Sequence, residues 1–168
     1  MQPVVSIIMG STSDLAVMKK AADLLNEFRI PFEMHALSAH RTPHEVEAFA
    51  SGAAQRGIRV IIAGAGMAAH LAGVVAALTP LPVIGVPLVS SLEGLDALLA
   101  MLQMPPGIPV ATVALNGAMN AAILAVQILA VADPELAGRF AAYKAGLAQK
   151  IVQANAELGE LKYEYKTN

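Results

Sequence analysis

Residues 60–92 and 97–132 contain no Asp, Glu, Lys or Arg. Uncharged runs of this length leave two settings for a chain, a membrane or a protein core covered from both sides. A membrane span needs ~20 continuous apolar residues. The first run is broken by Gly64, Gly66, His70, Gly73, Pro80, Pro82, Gly85 and Pro87. The second is broken by Pro105, Pro106, Gly107, Pro109, Asn116 and Gly117. These breakers cut both runs into pieces of strand and helix length, so a buried α/β core is expected and no membrane partner.

The rest of the chain follows the same alternation of strand, loop and helix. Val4–Met9 reads as a strand, followed by GSTSD and a helical stripe at Leu15, Met18, Ala22 and Leu25. Phe32–Leu37 reads as a second strand, followed by SAHRTP. Pro43 suits a first helical position, and Val46, Phe49, Ala50 and Ala53 carry the 3–4 spacing of a helix face. Further strands are expected at Val60–Ala63, Pro82–Val86 and Val110–Leu115. Helices are expected up to about Leu78, from Leu95 to Gln103, over Ala118–Val131, and from about Pro134 onward. Alternating elements of this length imply a parallel sheet with helices on both faces. Five strands suggest a single-domain three-layer sandwich of flavodoxin-like order 2-1-3-4-5, spanning residues 1–168 with a C-terminal helical extension from about 134. In such sheets ligands bind beyond the carboxyl ends of the strands, near a switch point. That rule singles out the loops GSTSD, SAHRTP and GAGMAAHLAG.

Composition narrows the partners. The net charge is −2 and the one basic pair, Lys19-Lys20, lies in a helical segment, so the basic stripe of a nucleic-acid binder is missing. With no cysteine there is neither a disulfide nor a thiolate metal site. No basic stretch precedes the first apolar run, so no signal peptide is expected and the cytoplasm is the expected compartment. Hydrophobic residues make up 56% of the chain, against ~45–50% in an average domain by a count that includes Gly. The segment AMNAAILAVQILAV at 118–131 is apolar nearly all round, and a partner subunit is the expected cover.

In GSTSD, Gly10 permits close backbone approach, and Ser11, Thr12 and Ser13 put hydroxyls beside free N–H groups at a helix start. This loop reads equally as a phosphate cradle and as a plain N-cap by Ser13 or Asp14. It lacks the Gly-Lys-Ser/Thr ending of a Walker loop. Asp14, a poor phosphate ligand, suits ribose hydroxyls better. In SAHRTP, His40 is the side-chain type that moves protons near neutral pH, Arg41 is a fixed cation for an oxyanion, and Ser38 can bond backbone or ligand. A solvated turn is the competing reading. In GAGMAAHLAG, Gly64 and Gly66 mark a tight strand exit, and His70 could orient a ligand or cap a helix. No metal is expected, because only His40 and His70 are placed to share one. His35 and His44 read as structural.

Together these loops, with GVP, GLDALLAMLQMPPGIPVATVAL and NAAILAVQIL further on, closely resemble the N5-carboxyaminoimidazole ribonucleotide mutases of purine biosynthesis, from about Val4 to Leu136. The resemblance implies an isomerase that moves the N5-carboxylate to ring carbon C4 through released and trapped carbon dioxide, without cofactor or metal. It implies His40 as proton-transfer residue. Substrate contacts are implied at Ser11, Ser13, Asp14, Ser38, Ala39, Arg41, Gly66, Ala68, Ala69, His70 and Leu71. It further implies a small ribonucleotide substrate and a homo-octamer. Met67 stands where Gly is usual and Ala72 where Pro is usual; Leu88–Gly94 is one residue short, and Ala97 and Ala100 replace common serines. A side chain at Met67 means that this backbone position need not have positive φ. Two other readings are a direct aminoimidazole ribonucleotide carboxylase, which resembles the chain less, and a flavodoxin-like nucleotide- or flavin-binding module without catalysis.

Overall fold

The computed structural model describes residues 1–168. Five parallel strands form one sheet of order β2-β1-β3-β4-β5: β1 Val5–Met9, β2 Phe32–Ala36, β3 Val60–Gly66, β4 Val83–Leu88 and β5 Ala111–Thr112. The helices are α1 Leu15–Glu27, α2 Pro43–Gly52, α3 Leu71–Leu78, α4 Leu95–Leu102, α5 Ala118–Ala130 and α6 Pro134–Glu160. The flavodoxin-like order expected from the alternation is the one observed.

The central strands β1 and β4 are buried at every position, and β3 at all but Gly66. Strands covered on both sides need apolar residues at both parities, and VSIIM, VIIAGAG and VIGVPL supply them. On one face, Ile8, Ile61, Ala63, Ala65 and Val83 pack with Val46, Phe49 and Ala50 of α2, Leu71 and Val75 of α3, and Met101 of α4. On the opposite face lies α1. A Cβ at Gly64 would stand 2.4 Å from Met18 Sδ, so the Met18 side chain of the helix fills the space that the glycine leaves open. Edge strand β2 is only part-buried and carries Glu33 and His35.

Some boundaries differ from the sequence reading. β3 and β4 run further, to Gly66 and Leu88. β5 is cut to Ala111–Thr112, where Val110–Leu115 was expected. Gly85 and Pro87 turn their carbonyls toward β5, accepting from Val113 N at 3.0 Å and Asn116 N at 2.8 Å. Pro87 has no N–H to return, so the ladder stops there. Leu15, expected on the buried stripe of α1, is 45% exposed, because as the first helical residue it lies at the strand exit rather than over the sheet. In α5, Ala118, Ala121, Ala122, Ala125, Val126 and Leu129 are buried, while Met119, Asn120 and Gln127 face outward.

The chain divides into two compact units, Met1–Leu129 and Ala130–Asn168. The second is dominated by α6, which opens on Asp133, whose carboxylate accepts from Leu136 N at 2.9 Å, with Pro134 in the first turn. No helix is long and apolar enough to cross a membrane.

Candidate active site

Loops leaving β1, β2, β3 and β4 at their carboxyl ends enclose a cleft of about 660 Å³. This volume is in the range of small-molecule sites. Ser11, Ser13, Asp14, Ser38, Ala39, His40, Arg41, Gly66, Ala68 and Leu71 line it. Two of the substrate contacts that the resemblance implies do not. Ala69 is 1% exposed and lies in the core under the third loop. His70 is absent from the lining, but its ring meets His40 beside the cleft.

The first loop is a short 3-10 turn, Thr12–Asp14, that feeds α1. Ser11 caps it in a reciprocal box: Ser11 Oγ accepts from Ser13 N at 3.4 Å, and Asp14 Oδ2 accepts from Ser11 N at 3.2 Å. Ser13 Oγ also donates to Asp14 Oδ1, at 3.3 Å. The cap is Ser11 rather than Ser13 or Asp14, because the 3-10 turn starts directly after Ser11, at Thr12; Ser11, Ser13 and Asp14 also line the cleft.

The second loop is a knot of local bonds. Thr42 N donates to Ser38 O at 2.8 Å, Thr42 Oγ1 donates to the same oxygen at 3.1 Å, and Ser38 N donates to Thr42 Oγ1 at 3.0 Å. Ser38 Oγ accepts from Arg41 N at 3.2 Å and Arg41 Nε at 3.4 Å. Arg41 Nη2 donates to Gly10 O at 2.9 Å, joining the second loop to the first. These bonds hold His40 outward at the tip. Its Nε2 lies 2.9 Å from His70 Nδ1, with the two rings edge to face at 5.0 Å.

The third loop turns sharply at Met67, whose φ is +55°. Positive φ, which a side chain at this position left unneeded, is nevertheless what the backbone adopts. The strand exit demands a left-handed residue, and Met67 adopts that conformation despite its Cβ. Ala72 is the second residue of α3, where a backbone N–H has no intrahelical acceptor, so alanine in place of proline changes little. Buried Ala97 packs in the core of α2, α3 and α4.

A fourth loop, Leu88, Val89 and Ser90, completes the cleft, and sequence reasoning missed it. A signal existed. VSSLEG repeats the pattern of GSTSD, a strand followed by serines and a 3-10 turn, here Leu92–Gly94. Leu92, Glu93 and Gly94 have φ of 44°, 55° and 82°, a left-handed run that closes this shortened connection. Ser91 Oγ bonds Asp96 Oδ2. That bond is the main cause holding the Asp96 carboxyl below the usual carboxylate range. His35 and His44 lie on β2 and α2, outside the cleft. No group of three or more His, Asp or Glu side chains is arranged to hold a metal ion.

The cleft thus has a polar wall of hydroxyls, Asp14 and Arg41 from the first two loops, and an uncharged, mostly apolar wall from the last two, in which Ser90 is the one hydroxyl. Fold and site define a flavodoxin-like α/β protein with a small-molecule cleft at the carboxyl ends of its strands. More particularly, residues 4–150 match the family model described as AIR carboxylase, and the chain belongs to that family. It is 55% identical over 161 residues, 95% of this chain and 92% of the other, to an N5-carboxyaminoimidazole ribonucleotide mutase of Mycobacterium tuberculosis. It is 61% identical over 135 residues to a phosphoribosylaminoimidazole carboxylase of Schizosaccharomyces pombe, covering 80% of this chain but 24% of that protein. Among solved structures, Treponema denticola PurE2-S38D superposes with a TM-score of 0.86 at 33% identity, over 94% of this chain and 99% of that one.

Proposed function

We propose that this chain is an isomerase that converts N5-carboxyaminoimidazole ribonucleotide to 4-carboxy-5-aminoimidazole ribonucleotide in purine biosynthesis. The observation that carries this reading is the 55% identity, over nearly the full length of both chains, to a protein of that name. Five parallel strands and the two-walled cleft agree with it.

The chemistry follows from the walls. The ribonucleotide phosphate is held by Arg41 with the Ser11 and Ser13 hydroxyls, and the ribose by Asp14; Ser38 and Ala39 shape the same wall. His40 in its imidazolium form gives a proton to N5 as the bond from N5 to the carboxylate carbon breaks. The bonding pair stays on N5, and carbon dioxide is released. The enamine pair at C4 attacks that carbon dioxide, forming the new carbon–carbon bond. Neutral His40 then removes the C4 proton, which restores the aromatic ring and the imidazolium. Atoms and protons balance without redox cofactor or metal. Gly66, Ala68 and Leu71 keep the carbon dioxide end narrow and apolar, so proximity supplies most of the rate. His70 orients His40. The second unit serves as an extension of a single catalytic domain, and the chain works as a homo-octamer in the cytoplasm.

The test is to incubate the purified protein with N5-carboxyaminoimidazole ribonucleotide without ATP. Formation of the C4-carboxylated product is expected. Turnover of aminoimidazole ribonucleotide with bicarbonate alone would instead indicate direct carboxylation, and ligand binding with no turnover of either substrate would indicate a binding module.

A further inference from the structure

We propose that Asn116, which lies outside the cleft, is a positioning residue whose side-chain carbonyl holds the fourth loop in place as part of the cleft wall. The consequence for turnover rests on the mutase reading above.

The need for it starts at Pro87. Strands β4 and β5 pair in parallel through Ile84 with Ala111 and Gly85 with Thr112. Val113 N then donates to Gly85 O at 3.0 Å, and Asn116 N to Pro87 O at 2.8 Å. A parallel ladder keeps its bonds evenly spaced. Here two acceptors two residues apart are met by donors three residues apart, so the register slips just past Pro87. Pro87 has no N–H, and the next donor on the same side of that chain is Val89 N. Asn116 Oδ1 accepts from it at 3.0 Å, so a side-chain amide stands where a strand carbonyl would in an unbroken ladder. A backbone N–H can face only an acceptor, which fixes the amide oxygen toward Val89.

Asn116 is itself locked. Its φ is +55°, a region that asparagine enters more readily than most side chains. Gly117 N donates to Ala114 O at 2.9 Å, and a Cβ at Gly117 would stand 2.7 Å from that oxygen, so the turn is tight. Ala121 N donates to Gly117 O at 3.0 Å, which joins the turn directly to α5. Glycine at 116 would meet the backbone demand equally well. The carbonyl at the end of the side chain is what asparagine adds.

The bond ends at the cleft. Val89 and Ser90 line it, whereas Asn116 does not. On its other side this stretch meets the third loop, because a Cβ at Gly66 would come within 3.2 Å of Ser90 Cβ and 3.3 Å of Leu88 O. Beyond Ser91 the chain enters the left-handed run Leu92, Glu93 and Gly94 of the shortened connection. Without the Asn116 acceptor, Val89 N turns toward water and the wall moves with it. Arg41, Ser11, Ser13 and Asp14 stand on the opposite wall, so phosphate and ribose contacts survive. A rate that rests on proximity does not survive displacement of the wall beside the reacting atoms.

Two variants separate side chain from backbone. Asn116→Gly keeps the left-handed backbone and removes the acceptor, so folding is not threatened. Asn116→Asp keeps an oxygen acceptor on a side chain that also tolerates positive φ. Hydrogen–deuterium exchange at Val89 is read by mass spectrometry from overlapping peptides that end on either side of it. Exchange is expected to quicken several-fold in Asn116→Gly and to stay near parental in Asn116→Asp. In steady-state kinetics with N5-carboxyaminoimidazole ribonucleotide, Asn116→Gly is expected to lose about tenfold in kcat with KM within about twofold of the parent. Asn116→Asp is expected to recover most of the lost kcat. Parental exchange at Val89 in Asn116→Gly would overturn the proposal. So would an unchanged kcat, a change confined to KM, or an Asn116→Asp as slow as the glycine variant. Absence of product from the parent would overturn the mutase reading and the consequence for turnover, while faster exchange in Asn116→Gly would still support Asn116 as the holder of the loop.

Discussion

His40 Nε2 and His70 Nδ1 lie 2.9 Å apart, on residues thirty positions apart in sequence that leave different strands. A bond between two ring nitrogens needs one to donate and the other to accept, so a single proton lies between the rings. His70 thereby fixes the orientation of His40 at the edge of the cleft. His40→Asn is expected to fold normally by circular dichroism and to lose about 10²–10⁴ in kcat, the usual worth of an acid–base group. His70→Asn is expected to lose less, because the proton donor remains. Near-parental turnover of His40→Asn in a product assay would remove His40 from the mechanism.

Arg41 spans two loops through Gly10 O and Ser38 Oγ, which leaves part of its fork for a ligand. Lysine keeps the charge but not the fork. Arg41→Lys should raise KM roughly tenfold, in line with losing about 1.5 kcal/mol of charged hydrogen bonding, with a smaller effect on kcat. Steady-state kinetics decide it; a change confined to kcat would contradict a phosphate contact.

Met67 and Gly94 both have positive φ, and they predict opposite results. Met67→Gly removes about 1–2 kcal/mol of left-handed strain and adds somewhat less in chain entropy, so the melting temperature should hold or rise slightly. At Gly94 the φ is +82°, and a Cβ would stand 2.7 Å from Leu115 Cδ2. Gly94→Ala should lower stability by about 2 kcal/mol in denaturant melts, since strain and overlap add.

Ser6 is fully buried in β1, and its hydroxyl has no hydrogen-bond partner. An unpaired buried hydroxyl costs about 1–3 kcal/mol. Ser6→Ala should therefore leave stability unchanged or raise it by about 1 kcal/mol. A marked loss in a urea titration would mean that the hydroxyl is satisfied.

The Asp96 carboxyl is held low chiefly by Ser91. A group with a depressed folded value stabilises above its unfolded value, and that contribution is lost as pH falls through the folded one. Ser91→Ala should move the Asp96 titration midpoint upward in a carboxyl-carbon NMR titration. It should also flatten the acid limb of stability below about pH 4.

Much of the fold was written in local pattern. Charge-free runs broken by Gly and Pro, and the period of each helix, gave five parallel strands, their order and three of the four loops around the cleft. Strand length was less legible. The loss of most of the expected β5 depends on Pro87 of a neighbouring strand, and no window around residues 110–115 contains it. The fourth loop is not legible locally, because VSSLEG has the composition of an ordinary turn until β4 is seen beside β3.

The sequence by itself determined which side-chain chemistries exist and which strand end carries each, because hydrophobic period and turn residues act over a few positions. Only the tertiary structure decided which of them meet. His40 and His70 pair because parallel strands bring their exits to one edge, while Ala69, one residue before His70, is turned into the core. The left-handed backbone at Met67 likewise lies where tertiary structure acts, just past Gly66, the end of β3 that pairs with Leu88 of β4. Contacts of this kind are long-range, and their geometry exists only once the sheet is assembled.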